Sequence, residues 1–142
     1  TYVFVQYRDP REISLSLIDH GRRSRSLGIP DFAECVDIPS TWPFIDQAIE
    51  RARSWLQKPG AVAVDYDSLC FNNKSLVENL ADRLGVAVDS SEIAAKYEDK
   101  DKIIQFNKGE PNRWIAEMPS DVSQQFLERY AQYYTDGRFV LG

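Results

Sequence analysis

The join between residues 7 and 12 constrains the fold more than any other feature. Tyr2-Val3-Phe4-Val5-Gln6-Tyr7 is β-branched and aromatic, as a buried strand is, and it runs without a spacer into Arg8-Asp9-Pro10-Arg11-Glu12. That second run carries the start signals of a helix. Asp9 can cap, Pro10 suits the first turn because its missing N–H costs nothing there, and Glu12 can reach back three residues. Ile13, Leu17 and Ile18 follow at the spacing of an amphipathic helix. A strand that passes at once into a helix is the first half of a β–α unit, and such units build parallel sheets flanked by helices.

The rest of the chain continues the alternation. The first helix ends in the basic cluster Arg22, Arg23, Arg25, before Gly28. Residues 28–43 read as a loop, with Pro30, Pro39 and Pro43. A helix is expected from about Pro43 to Gln57, with Ile45, Ala48, Ile49, Ala52 and Leu56 on one face, and Pro59-Gly60 breaks it. Ala61 to Tyr66 reads as a second buried strand. Helices are expected over Lys74–Leu84, ended by Gly85, and over Ser91–Tyr97. Residues 98–113 read as a polar loop, Pro119-Ser120-Asp121 as the opening of a last helix through Tyr134, and residues 138–141 as a short strand. The class is α/β, and the layout suggests part of a P-loop-type parallel sheet flanked by helices. Two clear strands are few for a parallel sheet, which is normally buried on both faces. The other strands are expected upstream of Thr1, in an N-terminal segment or a separate chain, and the chain reads as cut inside a larger protein.

Composition removes several function classes. Hydrophobic residues at 43% and charged residues at 27% supply one ordinary globular core. No apolar run approaches the roughly 18–20 residues of a membrane span, and no N-terminal basic-then-apolar signal is present. A net charge of −5 argues against a nucleic-acid partner, which calls for a basic stripe, but leaves room for one local anion site. Cys35 and Cys70 stand in unlike contexts with no CxxC spacing, so no metal is expected. Low cysteine use points to a reducing, cytoplasmic compartment.

Three stretches are candidates for chemistry. Arg8 ends a strand, and ligands of open α/β sheets sit beyond the carboxyl ends of strands. Its guanidinium suits a phosphate, and Ser16, two helical turns on and on the face of Glu12, Ile13 and His20, can add a hydroxyl. The plainer alternative is that Arg8 pairs with a carboxylate and Ser16 is a small helical residue. Lys108-Gly109, within Phe106-Asn107-Lys108-Gly109-Glu110-Pro111-Asn112-Arg113-Trp114, can offer an ammonium and backbone N–H groups to a phosphate, or be an ordinary polar loop. Tyr66, in Val64-Asp65-Tyr66-Asp67-Ser68-Leu69, can face a nucleotide base, or pack in the core while Asp67 caps a turn.

In order and spacing these stretches resemble the sulfotransferases that use 3′-phosphoadenosine 5′-phosphosulfate (PAPS). That family has a strand, an Arg and a Ser eight positions later; here these are Arg8 and Ser16 within VFVQYRDPREISLSL. It next has a strand ending in Tyr-Glu-Asp-Leu and a helix ending in Leu-Gly; VDYDSLCFNNKSLVENLADRLG matches in layout, with Tyr66 and Leu69 in place. It then has an Arg-Lys-Gly loop followed by Gly and Trp ahead of a final helix; FNKGEPNRW supplies Lys108, Gly109 and Trp114. The resemblance covers nearly the whole chain, as the C-terminal portion of a single sulfotransferase domain.

The resemblance implies a transfer of a sulfuryl group from PAPS to a hydroxyl or amine of a small-molecule or glycan acceptor. Arg8 and Ser16 would bind the 3′-phosphate, Lys108 and Gly109 would close over it, and Tyr66 would lie near the adenine. Two positions depart from the pattern. Asn107 stands where the family has Arg, which implies a weaker clamp, and Asn112 stands where it has Gly, in a residue type that tolerates unusual backbone angles. The family's phosphosulfate-binding loop and catalytic base lie upstream of the Arg strand. No catalytic residue is therefore expected in this chain, and the chain alone is expected to be inactive. His20, on the helix after Arg8, is not at the base position. Two other readings stay open, a nucleotide kinase-like P-loop protein and a non-catalytic sulfotransferase-like interaction module.

Overall fold

The computed structural model describes residues 2–98 and 110–135. Along the chain these form β1 (Val3–Tyr7), α1 (Pro10–Leu27), α2 (Ile38–Leu56), β2 (Ala61–Asp65), α3 (Tyr66–Phe71), α4 (Asn73–Leu84), α5 (Ser90–Glu98), α6 (Trp114–Glu117), α7 (Ser120–Arg129) and α8 (Ala131–Thr135). The class is mixed α/β and mostly helical, with β1 and β2 side by side in a two-stranded parallel sheet. The expected strand at residues 138–141 lies outside the described residues. The chain divides into two compact units, Thr1–Ala63 with Asn112–Gly142, and Val64–Pro111.

In the first unit, β1 alternates as a half-covered strand must. Val5 is buried at 7% exposure while Phe4 stays 46% exposed on the opposite face. The strand passes into α1 through the cap foreseen at Asp9, whose carboxylate accepts from the Arg11 N–H at 2.9 Å, with Pro10 in the first turn. Glu12 does not reach back to complete a capping box. Its carboxylate turns instead to Arg8, four residues back, and to the backbone of Trp114, a partner supplied by the fold rather than by the local sequence. Gly28 ends α1 in the left-handed conformation, at φ 65°, with its N–H on the Arg25 and Ser24 carbonyls.

The loop expected over residues 28–43 is shorter than its prolines suggest. α2 starts at Ile38, capped by Asp37, which receives the Ser40 N–H at 3.0 Å. Pro39 sits in the first turn, where a missing N–H is harmless, and Pro43 is tolerated one turn in. The turn before α2 lies hard against α1. A Cβ on Gly21 would stand 2.5 Å from the carbonyl oxygens of both Phe32 and Cys35, so only glycine permits this approach. Arg25 fastens the same turn by donating to the carbonyls of Ala33 at 2.7 Å and Cys35 at 3.2 Å. Across the helix pair, the buried hydroxyls of Ser14 and Thr41 meet at 2.7 Å.

The core of this unit gathers Leu15 of α1, Ile45 and Ile49 of α2, Met118, and Phe126, Tyr130 and Tyr133 from the C-terminal helices. Phe126 is fully buried, its ring 4.5 Å from that of Trp42 and 6.1 Å from that of Tyr130. Large side chains of this kind contribute about 1.5–3 kcal/mol each by leaving water. The single last helix expected from Pro119 to Tyr134 is two, with the break at Tyr130, which has left helical geometry at φ −112°.

The second unit is helical. Asp65, not Asp67, caps α3, accepting from the Ser68 N–H and hydroxyl at 2.8 Å each. α4 ends at Gly85, in the left-handed conformation at φ 66°, as expected for a C-terminal glycine. α5 follows, its first turn held by Asp89 through the N–H groups of Ser91 and Glu92. Among the described residues, no helix is long and apolar enough to cross a membrane, and no group of acidic, His and Cys side chains has the makings of a metal site.

Candidate anion site at the end of the first strand

Arg8 is the first residue beyond β1 and precedes the cap of α1. Its Nη2 donates to Glu12 Oε2 at 3.4 Å, and its side chain keeps 19% of its surface exposed. The plainer sequence reading, in which Arg8 faces a carboxylate, is thus the arrangement present. At 3.4 Å the contact is long for a charge-assisted hydrogen bond, which closes to about 2.7–2.9 Å when fully formed.

Two other guanidiniums of the first unit are held quite differently. Arg11 is buried at 5% exposure and forks onto Asp9, with Nε at 3.0 and 3.1 Å from the two carboxylate oxygens. Its Nη1 donates to the Ser123 hydroxyl at 3.2 Å, and its plane lies 3.6 Å from the centre of the Trp114 ring. Tyr134 donates its hydroxyl to Asp9 at 2.8 Å. Burial, followed by the Asp9 charge, pushes the Tyr134 phenol far up, so it remains a donor at any ordinary pH. Arg113 is equally buried, with Nε and Nη2 on Glu117 at 2.8 Å and Nη2 also on Asp19 at 2.8 Å. The hydrogen bonds to Glu117 hold this guanidinium above its usual range. Arg11 and Arg113 are therefore structural cations, whereas the Arg8 side chain keeps 19% of its surface exposed.

Glu12 stands between these groups. Its side chain is 3% exposed, Oε1 accepts from the Trp114 N–H at 3.0 Å, and Oε2 faces Arg8. Burial pushes its carboxyl up, against the opposing pull of the Trp114 N–H and the Arg8 charge. Ser16 lies one turn beyond Glu12 on α1 and is half-buried. His20, another turn on, is half-buried too, its ring 5.0 Å from that of Phe32. Arg22 pairs loosely with Asp19 at 3.4 Å, and Arg25 is committed to the carbonyls of the following turn.

The remaining expected site residues fall elsewhere. Tyr66 is half-buried in the second unit and opens α3 rather than ending β2. Lys108 and Gly109, with Asn107, lie outside the described residues. Asn112, at the position of the family's glycine, adopts φ 57°, in the left-handed region that asparagine tolerates best after glycine. Sequence reasoning passed over Arg11, Glu12 as a bridge, Arg113 and the short helix α6. Each also bonds a residue about a hundred positions away, as Arg11 does Ser123, Arg113 does Asp19 and Glu12 does Trp114, and no local pattern announces those contacts.

Comparison of the chain with protein-family models, with curated proteins and with solved structures returned no match.

Proposed function

We propose that this chain is the 3′-phosphate-binding part of a PAPS-dependent sulfotransferase, built on a P-loop-type sheet of which β1 and β2 are two strands. The observation that carries the reading is the placement of Arg8. It leaves the carboxyl end of a parallel strand, directly ahead of a capped helix, with a side chain 19% exposed and a long contact to Glu12. A phosphate dianion offers that guanidinium shorter, bidentate hydrogen bonds than Glu12 does, and Ser16 on the same helix offers a hydroxyl. The left-handed Asn112 adds support, because it uses the backbone freedom that the family's glycine provides.

Sulfuryl transfer asks for positioning and charge stabilisation along an in-line path more than for covalent work by the protein. In this reading the first unit holds the donor by its 3′-phosphate through Arg8 and Ser16. The groups that hold the 5′-phosphosulfate and deprotonate the acceptor would come from upstream sequence or another chain. Phe4, 46% exposed on a parallel strand, marks a sheet face that such a segment would cover.

Arg8→Ala is expected to weaken binding of adenosine 3′,5′-bisphosphate to the complete protein by about 1.5–3 kcal/mol, the worth of hydrogen bonds to a charged group. Binding of adenosine 5′-monophosphate, which lacks the 3′-phosphate, is expected to be unchanged. Titration calorimetry with both nucleotides checks this, and equal losses for the two would count against the assignment.

A further inference from the structure

We propose that the second unit carries its own binding site for a small organic phosphate, in the cleft that Phe71–Lys74 form with α5. The site is separate from the strand end in the first unit and does not rest on the 3′-phosphate reading. Asp65 caps α3, which ends at Phe71, and the chain turns at Asn72 into α4. α4 and α5 pack against each other, with Ala81 and Ala94 buried. The cleft left beside that packing has a volume of about 320 Å³, at the small end of the range for small-molecule sites. Phe71, Asn72, Asn73 and Lys74 line one side, and Ser91 and Ala94 the other. Each polar side chain of this lining can donate a hydrogen bond, and none is a carboxylate. Among the described residues, none of these four polar side chains has a hydrogen-bond or ion-pair partner. Asn72 stands at the cap position of α4, yet its side chain makes no cap hydrogen bond. The nearby acids are occupied elsewhere. Glu78, one turn beyond Lys74, accepts from the Ser90 hydroxyl at 2.9 Å, and Glu92 holds Lys96 at 2.9 Å. Asp89 takes the N–H groups of Ser91 and Glu92. An ammonium without a carboxylate, beside two amides and a hydroxyl, is a donor set for an oxyanion. A phosphomonoester has three terminal oxygens and nearly two negative charges at neutral pH, and it uses that set more fully than a carboxylate does. The ring of Phe71, 44% exposed, offers an apolar face to the carbon part of such a ligand.

The experiment follows backbone amide NMR shifts of the full chain during separate titrations with phenyl phosphate, inorganic phosphate and benzoate. Phenyl phosphate is expected to give saturable shifts at the amides of Phe71, Asn72, Asn73, Lys74 and Ser91. Inorganic phosphate, which lacks the ring, and benzoate, which lacks the second charge, are both expected to bind there more weakly. Lys74→Gln keeps a polar side chain but removes the charge, and is expected to weaken phenyl phosphate about tenfold, equivalent to about 1.4 kcal/mol. Phe71→Ala is expected to bring phenyl phosphate down to the affinity of inorganic phosphate. Both positions are exposed, so neither substitution removes a buried group, and an otherwise unchanged spectrum checks that the fold persists. Unchanged affinity in Lys74→Gln would overturn the site. Benzoate binding as tightly as phenyl phosphate would overturn the assignment to a phosphate, and inorganic phosphate doing so would overturn the part given to Phe71. Shifts confined to α1, with none in the cleft, would overturn the site while leaving the 3′-phosphate reading standing.

Discussion

Arg11→Ala is expected to lower the unfolding free energy by about 3–5 kcal/mol, the cost of leaving a buried charge without its partner. Asp9 would keep the Tyr134 hydroxyl and the Arg11 backbone N–H, but lose the forked guanidinium that neutralises it in a site where its own side chain is only 10% exposed. The Trp114 ring would lose the flat cation at 3.6 Å, and Ser123 its donor at 3.2 Å. These losses converge on the start of α1, so Arg8 would be disturbed along with stability. Urea denaturation followed by tryptophan fluorescence gives the number, and a loss below about 1 kcal/mol would show that the network is not closed as described. Arg11→Lys is no substitute, since an ammonium cannot fork onto Asp9 and stack on Trp114 at once.

Phe126→Ala is expected to cost a similar amount, about 3–5 kcal/mol, for a different reason. The ring has no exposed surface and lies within 4.5 Å of Trp42, at the meeting of α2 and α7. Truncation leaves a cavity that Trp42 and Tyr130 cannot fill, because Tyr130 is held by its hydroxyl on Asp46 at 2.9 Å and Trp42 lies against the Arg129 guanidinium at 5.1 Å. Phe4→Ala is the matching control. With Phe4 46% exposed, its loss is expected to stay within about 0.5 kcal/mol. Thermal unfolding of the two variants checks the contrast, and comparable shifts would contradict the placement of the core.

The parts of this fold that were legible in the sequence are those set by local chemistry. The strand at Val3–Tyr7, the cap at Asp9, the proline in the first turn of α1 and the glycine ends at Gly28 and Gly85 all follow from neighbours in the chain. Reasoning from local signals went astray where a residue had two local uses and the fold chose between them. Pro39 and Pro43 suggested a loop, yet both suit a helix begun at Asp37, one in its first turn and the other just beyond it. Glu12 suggested a capping box, but the carboxylate takes the neighbouring Arg8 guanidinium and a helix-start N–H from another segment instead. The candidate site was legible to the same degree. Arg8 could be singled out because ligands of open α/β sheets sit beyond strand ends, whereas the Trp114 N–H that holds its partner Glu12 arrives from the far end of the chain and leaves no local trace.

The central claim is that Arg8 and Ser16 face a 3′-phosphate, and the most direct measurement is a comparison of nucleotides on the complete protein. Adenosine 3′,5′-bisphosphate and adenosine 5′-diphosphate carry the same number of phosphates and differ in where the second one sits. Competition calorimetry is expected to show the 3′,5′-bisphosphate binding at least about tenfold more tightly, a difference of about 1.4 kcal/mol. Equal affinity, or tighter binding of the 5′-diphosphate as a kinase-like site would give, would contradict the claim.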